Sequence, residues 1–96
     1  MDTVEGVREE LEKCIKKINS LGKSAFDDQM SEQLGKLSAA AVGVGMPAAQ
    51  KLVDNLSGVL KLFKEGKSGE DSVSVRVTAL EFYLKKISSG AGEEEL

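Results

Sequence analysis

Histidine does not occur in this chain, and cysteine occurs once, at Cys14. That narrows the chemistry its side chains could perform. Cys14 has Lys13 and Lys17 near it in sequence, and nearby cations favour the thiolate. It also falls in an apolar series at helical spacing, so a buried structural thiol is the better reading. Asp27 and Asp28 could pair as carboxylates for acid–base work or for a hard metal ion. Adjacent residues on a helix diverge by about 100°, and two carboxylates in a first turn suit the positive end of the helix. Glu93, Glu94 and Glu95 could hold a cation weakly, but a solvated tail explains them more simply. Gly43-Val44-Gly45 lacks the lysine and the preceding strand of a phosphate loop. One cysteine without histidine argues against a zinc site, a nucleophilic triad and histidine-based acid–base catalysis. The expectation is a non-enzymatic chain with no metal and no cofactor.

The 96 residues form one domain by length, with 41% hydrophobic and 30% charged residues and a formal charge of −3. That composition is too apolar for a disordered chain. Nucleic-acid binding is disfavoured, because neutralising phosphates needs a basic face. The densest basic cluster, Lys13, Lys16 and Lys17, follows Glu9, Glu10 and Glu12, a pattern of i,i+4 pairs on a solvated helix face. No run of about 18 apolar residues suggests a membrane span, and the acidic N-terminus lacks a signal-peptide core. A single cysteine fits a reducing compartment. A cytoplasmic location is expected.

The apolar spacing predicts four helices. Val4, Val7, Leu11, Cys14, Ile18 and Leu21 step by 3, 4, 3, 4, 3, one stripe of a first helix. Asp2 with Glu5 resembles a capping box, and Gly22 is a plausible stop. Phe26, Met30, Leu34, Leu37, Ala41 and Val44 form a second stripe, with Ser24 as its expected N-cap and Gly43 and Gly45 as its end. Pro47 suits the first position of a third helix, whose stripe runs Ala49, Leu52, Val53, Leu56, Val59, Leu60 and Phe63 toward Gly66. Ser72 to Val77 alternates like a strand, yet Val73, Val77, Leu80, Leu84 and Ile87 continue at helical spacing. A lone strand would have no partner, so a fourth helix is expected. Short connections favour an all-α, antiparallel up-down-up-down four-helix bundle. It should span residues 1–90, with 91–96 as an acidic flexible tail.

One stretch does not read as scaffold. Leu37 to Gln50 carries no charge. On the second helix, Leu34, Leu37, Ala41 and Val44 point inward, while Gly35, Ser38, Ala39 and Val42 make a second stripe at i, i+3, i+4, i+7. A helical glycine costs about 1 kcal/mol against alanine, so something should offset Gly35. Three explanations stand. Helices 2 and 3 pack tightly around the Gly43–Pro47 turn; or the stripe is a protein-docking face comprising Ser31, Gly35, Ser38, Ala39, Val42 and Gln50; or it is the contact of a homodimer or other oligomerising bundle.

The run Gly35-Lys36-Leu37-Ser38-Ala39-Ala40-Ala41-Val42-Gly43-Val44-Gly45 resembles the second-helix signature of histidine-phosphotransfer domains, which reads roughly His-x-Leu-Lys-Gly-Ser, several small residues, then a closing glycine. Leu37 falls on the signature's leucine, Ala40 and Ala41 on small positions, and Gly45 on the closing glycine. Leu52-Val53-Asp54-Asn55-Leu56 is similar to the start of that family's third helix. The resemblance covers helices 2 and 3. It implies a four-helix bundle of two-component signalling whose second helix docks the receiver domain of a response regulator. The departures fall on the chemistry: Gly35 stands at the phosphoacceptor histidine, and Ser38 and Ala39 replace the lysine and glycine. The resemblance therefore implies an adaptor that keeps the docking face without the reaction.

Overall fold

The computed structural model describes residues 3–90. It consists of α1 (Val4–Leu21), a turn of 3-10 helix (Gly22–Ala25), α2 (Asp28–Gly43), α3 (Pro47–Lys64) and α4 (Glu70–Ser88). No strand occurs among the described residues, and none of their helices is long and apolar enough to cross a membrane. Each helix packs along the next, and α4 closes back against α1. The result is an antiparallel up-down-up-down four-helix bundle. The proposed tail at 91–96 lies outside the described residues.

The helix ends follow from local chemistry. The Thr3 hydroxyl accepts a hydrogen bond from the Gly6 N–H at 3.0 Å and caps α1. Thr3 thus takes the role expected of Asp2, which is itself outside the described residues. The expected cap of α2 also shifts, from Ser24 to Asp27, whose carboxylate accepts from the Met30 N–H at 2.8 Å. The chain between α1 and α2 is occupied first by burying Ala25 and by setting Phe26 edge-on to Phe63, with ring centroids 5.2 Å apart. Phe26 therefore belongs to the link, pinning it to the end of α3, and not to the α2 stripe.

The link between α2 and α3 is the tightest. Gly45 takes a φ of 74°, which a side chain would disfavour, and lets the Met46 N–H reach back to the Ala41 carbonyl at 2.8 Å. Met46 is buried beneath this bond, the apolar contact that usually accompanies such a cap. Pro47 then starts α3 at once, where a missing N–H costs nothing. A reversal this short forces α2 and α3 antiparallel and side by side, and they make the most extensive contact in the bundle.

One aliphatic core fills the centre. Leu11, Leu34, Leu37, Leu56, Leu60 and Leu80 are its largest fully buried side chains, and no polar side chain is buried among the described residues. Truncating any one of these leucines to alanine should cost about 2–5 kcal/mol. The α1 stripe is broader and shorter than its heptad spacing predicts. Ile15 is buried with it, while Val4 and Leu21 overhang the ends and are exposed. A helix in a bundle buries a wider arc than a two-residue seam. The segment that alternates like a strand, Ser72 to Val77, is helical. Val73 and Val77 face the core, and Val75 between them faces solvent.

Candidate docking surface on α2 and α3

The register of α2 against α3 is fixed by two polar bridges across their outer edge. The Ser38 hydroxyl donates to the Asp54 carboxylate at 2.6 Å. Near the other end, the Lys64 ammonium donates to Asp28, also at 2.6 Å. The two pairs share one antiparallel register. It sets Val42 level with Gln50, and Gly35 level with Ser57 and next to Gly58.

The six residues singled out from the sequence fall along this edge, in two ranks. Gly35, Ala39 and Val42 are exposed, Val42 with 56% of its surface in water. Ser31, Ser38 and Gln50 are half-buried and form the border toward α3. Ser38 is not free, because it is bound to Asp54. Tight α2–α3 packing thus accounts for the half-buried rank and not for the exposed one. A Cβ placed on Gly35 would meet nothing within 4 Å. No neighbour among the described residues requires a glycine there.

Gly58 was not among the residues singled out from sequence. It is exposed in the middle of α3, and a Cβ there would also meet nothing within 4 Å. It shares a shallow depression with Ser31, Ser57 and Lys61. Two helical glycines at one level leave bare backbone on adjacent helices. The signal was present in Leu56-Ser57-Gly58-Val59, where a glycine interrupts an otherwise helical pattern.

The other groups that could do chemistry are held in structural roles. Asp27 caps α2 while Asp28 turns to Lys64, so the two carboxylates do not converge. The Lys64 ammonium holds the exposed Asp28 carboxyl below its usual value, first by hydrogen bonding and then by charge. Cys14 is buried. Burial pushes its thiol pKa up, the nearby Glu10 charge adds to this, and Lys17 opposes it. In the open polar groove beside Cys14, between α1 and α2, Glu10 is already partnered. Glu10 accepts from Lys13 at 3.3 Å and from the Gln33 amide at 3.0 Å. Among the described residues no three of His, Cys, Asp and Glu gather as a metal ion would require.

No protein-family model matches this chain, and no curated protein or solved structure matches it. What the surface can do chemically follows from its own geometry. It offers small side chains, bare backbone at Gly35 and Gly58, and an exposed apolar residue at Val42.

Proposed function

We propose that the chain is a non-catalytic protein-interaction module that docks a partner on the α2–α3 edge. Gly35, Ala39 and Val42 meet the partner, with Ser31, Ser38 and Gln50 as the border. The observation that carries this reading is the open space around Gly35. A glycine in a helix interior costs about 1 kcal/mol, and nothing among the described residues fills the space it leaves. An external surface approaching the backbone accounts for it. The bundle architecture and the second-helix resemblance favour a specific partner, the receiver domain of a response regulator. The module would then be a pseudo-phosphotransfer domain that binds receivers without taking phosphate, because Gly35 has no side chain to phosphorylate. A single thiol, buried and held protonated, suits the reducing cytoplasm in which such signalling runs.

Titrating purified receiver domains into the wild-type chain and into Ala39→Glu tests the reading. Ala39 is exposed, so the variant should keep its helical circular dichroism and lose binding. Binding by neither protein, equal binding by both, or phosphoryl transfer to any residue of the wild-type chain would overturn it.

A further inference from the structure

Helix α4 carries large apolar residues on two opposite sides. Val73, Val77, Leu80 and Leu84 lie in the core, but Val75 and Phe82 point outward with 63% and 61% of their surface in water. Between these two lie Ala79, half-buried, and Thr78, exposed. Large apolar side chains exposed together on one helix face can mark a contact surface. Among the described residues no helix covers this face: α1 and α3 flank α4, and Ala79, Phe82 and Lys86 border an open groove beside Ala48 and Leu52 of α3.

The charges at the two ends of the face identify what would cover it. Asp71 sits in the first turn of α4 and Lys86 in the last, both exposed. At about 100° per residue, Asp71, Val75, Thr78, Ala79, Phe82 and Lys86 fall within an arc of about 100°. The order of these residues is symmetric about the bond between Thr78 and Ala79. Laid antiparallel on itself about a two-fold axis at that point, the stripe sets Asp71 opposite the second copy's Lys86. Val75 then faces the second copy's Phe82, and Thr78 its Ala79. Acid meets base at both ends, large apolar residues interdigitate beside them, and small residues sit at the crossing, where two helices must approach to about 8–10 Å. The antiparallel arrangement also sets each helix's positive end against the other's negative end.

We propose that the outer face of α4 is a homodimer interface, formed by a second copy of this chain packed antiparallel about a two-fold axis near Thr78 and Ala79. The contact is isologous, so it closes at two copies. The stripe runs about 22 Å at 1.5 Å per residue, which places it among small, reversible interfaces. Lys86 rests over the Phe82 ring at 5.2 Å in the free chain, and the dimer turns its ammonium to the partner's Asp71. Gly35, Ala39 and Val42 lie on α2, which makes no extensive contact with α4. This inference is independent of what the α2–α3 edge binds.

Sedimentation velocity over a concentration series reads the result. The wild type should pass from monomer to dimer, and Phe82→Lys should remain monomeric with unchanged circular dichroism. The charge variants test the register. Asp71→Lys alone sets lysine against lysine, and Lys86→Asp alone sets aspartate against aspartate, so each should dimerise about tenfold more weakly. Mixed in equal amounts, the two restore both ion pairs, and heterodimer should form at close to wild-type affinity. A wild type that is monomeric up to about 1 mM overturns the proposal. So does a dimer indifferent to Phe82→Lys. A mixture that associates no better than its components overturns the antiparallel register.

Discussion

Ser38 and Asp54 join α2 to α3 through a 2.6 Å hydrogen bond from hydroxyl to carboxylate, at the level where the uncharged stretch of α2 meets the charged outer edge of α3. The bond uses the one polar side chain of the Gly35, Ser38, Ala39 and Val42 stripe, whose other three members are exposed. Ser38→Ala should lower stability by about 0.5–1 kcal/mol, since the bond is partly exposed and water can replace it. A double-mutant cycle with Asp54→Ala, read by urea denaturation, should give a coupling of about 0.5 kcal/mol. A coupling of zero would mean that this bond does not help to set the register between the helices.

Gly35 and Gly58 predict a conflict between stability and binding. Neither would place a Cβ within 4 Å of another group, and neither has a positive φ. Gly35→Ala and Gly58→Ala should each stabilise the bundle by about 0.5–1 kcal/mol, or raise Tm by about 4–8 °C per kcal/mol in a domain of this size. Gly45→Ala should do the opposite, because its φ is 74°. On the docking reading, Gly35→Ala weakens partner binding even as it raises Tm. If it strengthens both, the glycine has no role at the interface.

Cys14 should be inert toward thiol reagents at neutral pH, labelling only after denaturant is added, because burial raises its pKa and shields it. The same shift makes stability pH-dependent. In the unfolded chain the thiol ionises near its ordinary value of about 8.5, while in the fold it stays protonated to higher pH. Stability is therefore unaffected below that value and falls as pH rises through it. Denaturation midpoints of wild type and Cys14→Val should run parallel at neutral pH, with wild type declining more steeply above about pH 8.5. Parallel curves throughout would show that the thiol is not desolvated.

The helices and most of their buried faces were legible because the apolar spacing is regular and glycine or proline marks the helix ends. Ser24 and Asp27 are both good caps by type. Choosing between them required knowing that Ala25 is buried and Phe26 is against Phe63. Those are tertiary contacts with no local signal. Gly35 could be singled out within α2, but its neighbour Gly58 could not be assigned to the same surface. Their adjacency depends on the α2–α3 register, which the Gly45 reversal and the Ser38–Asp54 bond set. Val75 was legible only as an ambiguity. Its alternation with Val73 and Val77, which resembles a strand, is in fact a helix presenting apolar residues on two faces.

The resemblance to phosphotransfer domains can be tested by restoring what is missing. Gly35→His introduces an imidazole into open space on an exposed helix face, and histidine is a better helix former than glycine, so the fold should tolerate it. If the α2–α3 edge docks receivers as that family's does, the variant should accept phosphate from a phosphorylated receiver domain, where wild type accepts none. The product should be acid-labile, as a phosphoramidate is. Adding Ser38→Lys and Ala39→Gly restores the lysine and glycine of the signature and should raise the rate. The lysine would replace the Ser38 hydrogen bond by an ion pair to Asp54, so the helix register should survive. Radiolabel transfer at matched receiver concentration reads all three proteins. A restored variant that binds receivers but never takes up phosphate would show that the face docks in a different geometry. One that neither binds nor reacts would leave the likeness as small residues at helical spacing and nothing more.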